Sequence, residues 1–127
     1  MFPMAKSAKA PVVIWHNPRC GKSRDTLALL RAHGVEPTIR EYLKEPPSAK
    51  EVEMLLDLLG GAPRALLRDG EPDFKATGKK AATLTRKDVV GLVAAHPILL
   101  QRPVVVAGDK AAIGRPPEAA LNVIGKK

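Results

Sequence analysis

Cysteine, histidine and aromatic residues are scarce in this sequence, and each shortage excludes a class of protein. Cys20 is the single cysteine among 127 residues, so no disulfide can form within the chain, and a reducing cytoplasm is the expected location. Three histidines and one cysteine, without ligand-like spacing, predict no metal site. Aromatic residues make up 3% of the chain, so we expect a core of aliphatic side chains.

Long apolar runs and a secretory signal are also missing. No apolar stretch approaches the roughly 20 residues of a membrane span, so we predict no membrane association. Residues 1–10 have no apolar signal core and are interpreted as a flexible leader before a single domain over 11–127. A net charge of +8 is compatible with a solvated lysine surface or with an anionic partner, which would be a small oxyanion or an acidic protein. Nucleic acid is disfavoured, because the sequence has no long basic run and almost no aromatic side chain to stack on a base.

A nucleotide-binding P-loop is absent as well, although Gly21-Lys22-Ser23 resembles the end of one. That motif requires a glycine with four residues between it and the Gly-Lys-Ser, and His16 occupies that position. Pro18, within the loop, has no N–H to donate to a phosphate. What remains is a strand, a turn and a helix N-terminus, where free N–H groups and the helix dipole attract an anion.

The spacing of apolar residues predicts an α/β chain. We expect strands over 11–15, 36–42, 103–107 and 110–114, and helices over 22–33, after the Ser48–Glu51 capping box, after the Thr85–Asp88 cap and after Pro116-Pro117. Residues 64–68 predict a short helix and 69–83 a loop-rich stretch, while His96 is expected to share one helical face with Val89, Leu92 and Val93. The order β-α-β, helices, β-hairpin, helix predicts a mixed sheet covered by helices, as in thioredoxin.

Cys20 is the first candidate for chemistry, because it begins the first predicted helix. The helix dipole and the neighbouring Arg19, Lys22 and Arg24 favour its thiolate, whereas the alternative is an inert cysteine packed as a small hydrophobe. Cys20 and Ser23 form a C-x-x-S, and serine cannot resolve a disulfide. Any disulfide of Cys20 therefore requires an external thiol, while Ser23 is expected to donate a hydrogen bond to the thiolate or to cap the helix.

Three arginines, Arg68, Arg102 and Arg115, lie close to the ends of predicted elements. Arginine binds oxyanions through a planar fork of donors, and several such forks can enclose one tetrahedral ion. Sequence spacing alone does not bring the three together, and a solvated surface position is the alternative for each. His16 is expected to hydrogen-bond either the thiolate or a loop carbonyl.

Four segments carry a family resemblance: IWHNPRCGKSRDTLALLRAHGVEPTIREYLKEPPS, RALLR, HPILLQRPVVV and IGRPPEAAL. In this order they resemble the thioredoxin-fold arsenate reductases that are coupled to glutathione and glutaredoxin. The match extends from about Val12 to Ile124, and HNP-x-C-x-x-S-R followed by HPIL-x-x-RP is its most specific part. The basic stretch between RALLR and HPIL matches less well.

The resemblance implies a thioredoxin-like α/β fold, a mixed sheet with flanking helices and a helical insertion. It makes Cys20 the nucleophile that attacks arsenate, with His16 influencing the thiolate. It makes Arg102, with Arg68 and Arg115, the oxyanion ligands. It also implies a cis peptide bond between Arg102 and Pro103. Supporting positions around these residues are Asn17, Ser23, Arg24 and Pro103.

The implied reaction is the reduction of arsenate, or a related small oxyanion, through an adduct on Cys20. Glutathione is the implied co-substrate and glutaredoxin the implied protein partner, with no bound cofactor. Two alternatives remain open, a thioredoxin-like binding or regulatory module without arsenate activity and a thiol–disulfide enzyme that acts on glutathionylated proteins. Arginines that converge on the Cys20 sulfur favour an oxyanion substrate over the binding module.

Overall fold

The computed structural model of the protein describes residues 11–60 and 63–124. These residues form two compact units: the first contains 11–40 and 102–124, and the second contains 41–60 and 63–101. The leader predicted over 1–10 lies outside the described residues. Within the described part of the chain, no helix is long and apolar enough to cross a membrane.

The first unit is built on a mixed four-stranded sheet, which confirms the predicted fold class. Its strands are β1 (Val12–His16), β2 (Thr38–Glu41), β3 (Val104–Ala107) and β4 (Lys110–Ile113), in the spatial order β2-β1-β3-β4. Strand β3 is antiparallel to both neighbours, so Val106 lies opposite Val13 on one side and Ala111 on the other. Strands β3 and β4 form the predicted hairpin, and its turn contains Gly108 with a φ of 61°.

Helix α1 (Gly21–Ala32) follows β1 after a four-residue loop and packs against the 3₁₀ helix Pro117–Asn122. A core cluster of this unit is aliphatic, as the composition predicts, and its buried members are Ile14, Leu30, Val105, Ala120 and Val123. Removal of such side chains from water is the main driving force that holds a helix on a sheet. This packing holds the N-terminus of α1 beside the end of β1.

The second unit is helical and corresponds to the predicted insertion. It contains α2 (Ala49–Leu59), α3 (Pro72–Lys75) and α4 (Arg86–Ala95), with 3₁₀ turns at Pro63–Leu66, Ala81–Thr83 and Pro97–Leu99. Both predicted capping boxes are present: the Ser48 hydroxyl accepts from the Glu51 N–H at 3.1 Å, and the Thr85 hydroxyl accepts from the Asp88 N–H at 3.1 Å. Helices α2 and α4 pack against each other through their apolar faces.

One prediction for the second unit requires correction and another gains detail. The segment 69–83 consists largely of turns and irregular backbone, as predicted, but Pro72 presets the backbone for the first turn of α3 and a 3₁₀ turn forms over Ala81–Thr83. His96 does not share the buried face of α4. The helix ends before it, since the following Pro97 disfavours a helical backbone, and His96 is exposed with φ −132° and ψ 80°.

Candidate functional site

The loop between β1 and α1 presents Cys20 as the residue immediately before the helix. Cys20 has an extended backbone, and its N–H donates to the Asn17 carbonyl at 2.9 Å. The Arg19 N–H donates to Asn17 Oδ1 at 3.0 Å, and Arg24 Nη1 donates to the Pro18 carbonyl at 2.9 Å. Asn17 and Arg24, both predicted as supporting residues, therefore stabilise the loop that carries the thiol.

Several groups act on the Cys20 thiol, and together they hold its pKa below the usual value. Burial is the largest single influence and raises the pKa. It is outweighed by a hydrogen bond from the Ser23 backbone N–H, by a hydrogen bond from the Arg102 side chain and its positive charge, and by the Lys22 backbone N–H. These groups favour the thiolate, because they donate to it or carry the opposite charge.

The lowered pKa predicts a specific pH dependence for the reactivity of Cys20. Alkylation by iodoacetamide, measured as a rate against pH, should have its midpoint below the value of about 8.5 for a free cysteine. Because the folded pKa is below that of the unfolded chain, ionisation of Cys20 stabilises the fold above the unfolded pKa, and this contribution is lost as the pH falls through the folded pKa. A midpoint at or above that of a free thiol would contradict an activated site.

His16 and Ser23 form a buried polar pair beneath the loop. Ser23 Oγ lies 2.6 Å from His16 Nδ1 and accepts a hydrogen bond from the Asn17 N–H at 3.0 Å. The hydroxyl thus bonds the loop, whereas the sequence predicts a donor to the thiolate or a helix cap. The backbone N–H of Ser23 is the group that bonds the sulfur. Ser23 as the partner of His16 Nδ1 was not predicted from the sequence.

Two of the three predicted arginines lie beside Cys20 in the first unit. Arg115 Nη2 is 3.8 Å from Cys20 Sγ, and Arg115 Nε donates to the Arg102 carbonyl at 2.7 Å. Arg102 Nε and Nη1 are buried and have no hydrogen-bond partner among the described residues. Buried donors without partners are costly, and an anion would satisfy them. The structure therefore places donors that fit an oxyanion next to a thiol that favours ionisation.

The peptide bonds that follow these two arginines share one feature. The Arg102–Pro103 bond is cis, which confirms the prediction drawn from the resemblance. The Arg115–Pro116 bond is also cis, and the sequence reading did not anticipate it. The only available signal was that Arg-Pro occurs at both positions.

Arg68 belongs to the second unit. Its N–H donates to the Leu99 carbonyl at 2.7 Å, next to an antiparallel bridge between Leu67 and Leu100. Its guanidinium forms an ion pair with Glu71, a partner that the sequence reading missed. The assignment of Arg68 to the oxyanion remains a prediction. Across the described ranges, no three His, Cys, Asp or Glu side chains are grouped so that they could hold a metal ion.

A mixed four-stranded sheet with a cysteine at the start of its first helix defines a thioredoxin-like protein. The chain belongs to the ArsC family, whose model matches residues 15–123. It is 43% identical over 115 residues to the uncharacterized protein YfgD of Escherichia coli K12, covering 90% of this chain and 97% of that protein. It is 38% identical over 114 residues to an arsenate reductase of Haemophilus influenzae, covering 89% and 98%. The structure of an arsenate reductase from Vibrio cholerae matches with a TM-score of 0.82 and 40% identity, covering 90% of this chain and 98% of that one.

Proposed function

We propose that this protein reduces arsenate to arsenite, with Cys20 as the nucleophile and glutathione and glutaredoxin as the sources of electrons. One observation carries the proposal: the Cys20 sulfur lies 3.8 Å from Arg115 Nη2 and close to Arg102, whose Nε and Nη1 have no hydrogen-bond partner among the described residues. The arsenate reductases of Haemophilus influenzae and Vibrio cholerae, which are similar over nearly their whole length, support arsenate as the oxyanion.

In the first step, the Cys20 thiolate attacks the arsenic atom of arsenate. A sulfur–arsenic bond forms, one arsenic–oxygen bond breaks, and the departing oxygen leaves as water after taking up protons. Arsenic remains in the +5 state, so no electrons have yet been transferred. A thiol with a lowered pKa is suited to this step, because a larger fraction of it is the attacking thiolate at a given pH.

In the second step, the glutathione sulfur forms a bond with the Cys20 sulfur. The sulfur–arsenic bond breaks and its electron pair stays on arsenic, which is reduced from +5 to +3 and leaves as arsenite. Cys20 remains as a mixed disulfide with glutathione. Ser23 cannot attack this disulfide, so a glutaredoxin thiolate takes the glutathione by exchange and releases the Cys20 thiolate.

The arginines stabilise the oxyanion and the charge that develops as the arsenic–oxygen bond breaks. Arg102 supplies two donors, Nε and Nη1, that have no hydrogen-bond partner among the described residues, and Arg115 is held by its own bond to the Arg102 carbonyl. Arg68 is the third oxyanion ligand only by the family resemblance, and in this structure its guanidinium forms an ion pair with Glu71. His16 acts through Ser23, since the two side chains are in contact and the Ser23 N–H bonds the sulfur.

The test is a coupled assay that contains the protein, glutathione, glutaredoxin, glutathione reductase and NADPH. We expect NADPH oxidation to depend on arsenate and on each added component, with arsenite as the product. If arsenate supports no turnover, but the protein supports NADPH consumption with a glutathionylated substrate when glutaredoxin is omitted, the chain is a thiol–disulfide enzyme. If neither supports turnover, a binding or regulatory role replaces the proposal.

A further inference from the structure

Gly114, which follows β4, lies so close to Thr26 and Pro103 that no side chain would fit there. A Cβ atom added there would lie 2.6 Å from Thr26 Oγ1, 2.9 Å from Pro103 Cγ and 3.1 Å from Thr26 Cγ2. A Cβ added at Gly21 would have no neighbour closer than 3.9 Å. Gly114 is not among the glycines with a positive φ, so its backbone conformation does not require glycine. The missing side chain is what the position requires.

The neighbours of Gly114 cannot move away without a cost. Thr26 is completely buried in α1, and its Oγ1 donates to the Lys22 carbonyl at 2.8 Å. Pro103 is buried, has a rigid ring, and accepts the Gly114 N–H on its carbonyl at 2.9 Å. Protein interiors are close-packed, so an added methyl group at this point would push the contacting segments apart.

Each segment that meets at Gly114 carries a residue of the candidate site. Helix α1 follows directly after Cys20, Arg102 directly precedes Pro103, and Arg115 directly follows Gly114. The bond from Arg115 Nε to the Arg102 carbonyl connects the last two segments. The separation of these segments therefore sets the distance between the sulfur and both guanidinium groups.

We propose that Gly114 is a positioning residue, whose missing side chain allows three segments to approach until Arg102 and Arg115 reach the Cys20 sulfur. Thr26 provides the surface of α1 against which Gly114 lies. The proposal deepens the proposed function, since it concerns the assembly of the same oxyanion site. The main measurement requires no turnover of arsenate, so the positioning role of Gly114 and the proposed arsenate reduction can fail separately.

The test is the Gly114→Ala variant, with the pKa of Cys20 measured from the rate of iodoacetamide alkylation against pH. We expect the pKa of Cys20 to rise by about one unit or more, because the added methyl group moves the guanidinium groups away from the sulfur. An opposite charge at close range shifts a pKa by about 1–3 units. Arsenate is expected to raise the Tm of the parent by binding the folded state at the unpartnered donors of Arg102, and this increase should be smaller in Gly114→Ala. The control is Gly91→Ala in α4, where nothing lies within 4 Å of an added Cβ, and its Cys20 pKa should equal that of the parent.

A second variant separates positioning from a general loss of stability. Adding Thr26→Ala to Gly114→Ala removes two of the three close contacts, so the pKa should return part of the way toward the parent value. If Gly114→Ala alone does not fold, the double variant is compared with Thr26→Ala, and its pKa should be higher because the contact with Pro103 remains. A lower Tm with an unchanged pKa in these comparisons would overturn the proposal. If the Cys20 pKa differs between the parent and the variants as expected, but the parent does not reduce arsenate, only the proposed function is contradicted.

Discussion

Replacement of Cys20 by serine is expected to lower arsenate reduction by about a thousand-fold or more, the scale of loss when a covalent nucleophile is removed. A serine hydroxyl is not ionised at neutral pH, and it cannot form the bond to the glutathione sulfur on which the second step depends. Cys20 is the single cysteine of the chain, so no other thiol can substitute for it. The measurement is the arsenate-dependent rate in the coupled glutathione and glutaredoxin assay.

The same variant also tests the site in a second way. Cys20→Ser retains the loop, so its circular dichroism and its melting curve should remain close to those of the parent. Mass spectrometry of the parent after incubation with arsenate and glutathione should detect a glutathione adduct on Cys20, and the variant should show none. Residual turnover by a folded Cys20→Ser protein at more than a few per cent of the parent rate would contradict the covalent mechanism.

Arg102→Lys is expected to have the second largest effect, a fall in kcat/KM for arsenate of about a hundred-fold. Lysine keeps the positive charge but loses the planar fork, and Arg102 Nε and Nη1 are the buried donors without a partner among the described residues. The retained charge should keep part of the depression of the Cys20 pKa, so alkylation at neutral pH should change less than arsenate turnover. Both are measured on the same preparation.

Arg31→Lys is the matched control, because it makes the same replacement on the exposed surface. Arg31 also presents its fork to a carboxylate, with Nη2 and Nε of the guanidinium donating to Glu36 at 2.9 and 3.1 Å. An exposed ion pair contributes little to stability, so this variant should keep the parent rate and Tm. Equal rates for Arg102→Lys and Arg31→Lys would remove Arg102 from the oxyanion site.

Local features of the sequence determined the secondary structure of this chain to a large extent. The capping box of Ser48 and Glu51 and the turn at Gly108 were predictable, because each depends on residues a few positions apart. The position of Cys20 at the start of α1 was predictable for the same reason, since strand, turn and helix signals follow one another directly. The correction at His96 concerns an element end, where the neighbouring Pro97 changes a short stretch of backbone.

Only the tertiary structure decided which distant groups meet the thiol. Arg115 and Cys20 are 95 residues apart, and no local interaction relates their positions. The resemblance suggested their convergence, but the unpartnered donors of Arg102 follow from how the segments pack. The ion pair between Arg68 and Glu71 depends on side-chain conformation within the second unit. The contact of Gly114 with Thr26 also depends on packing, because the close approach of a strand end to a helix is determined by the whole core and leaves no periodic signal in the sequence.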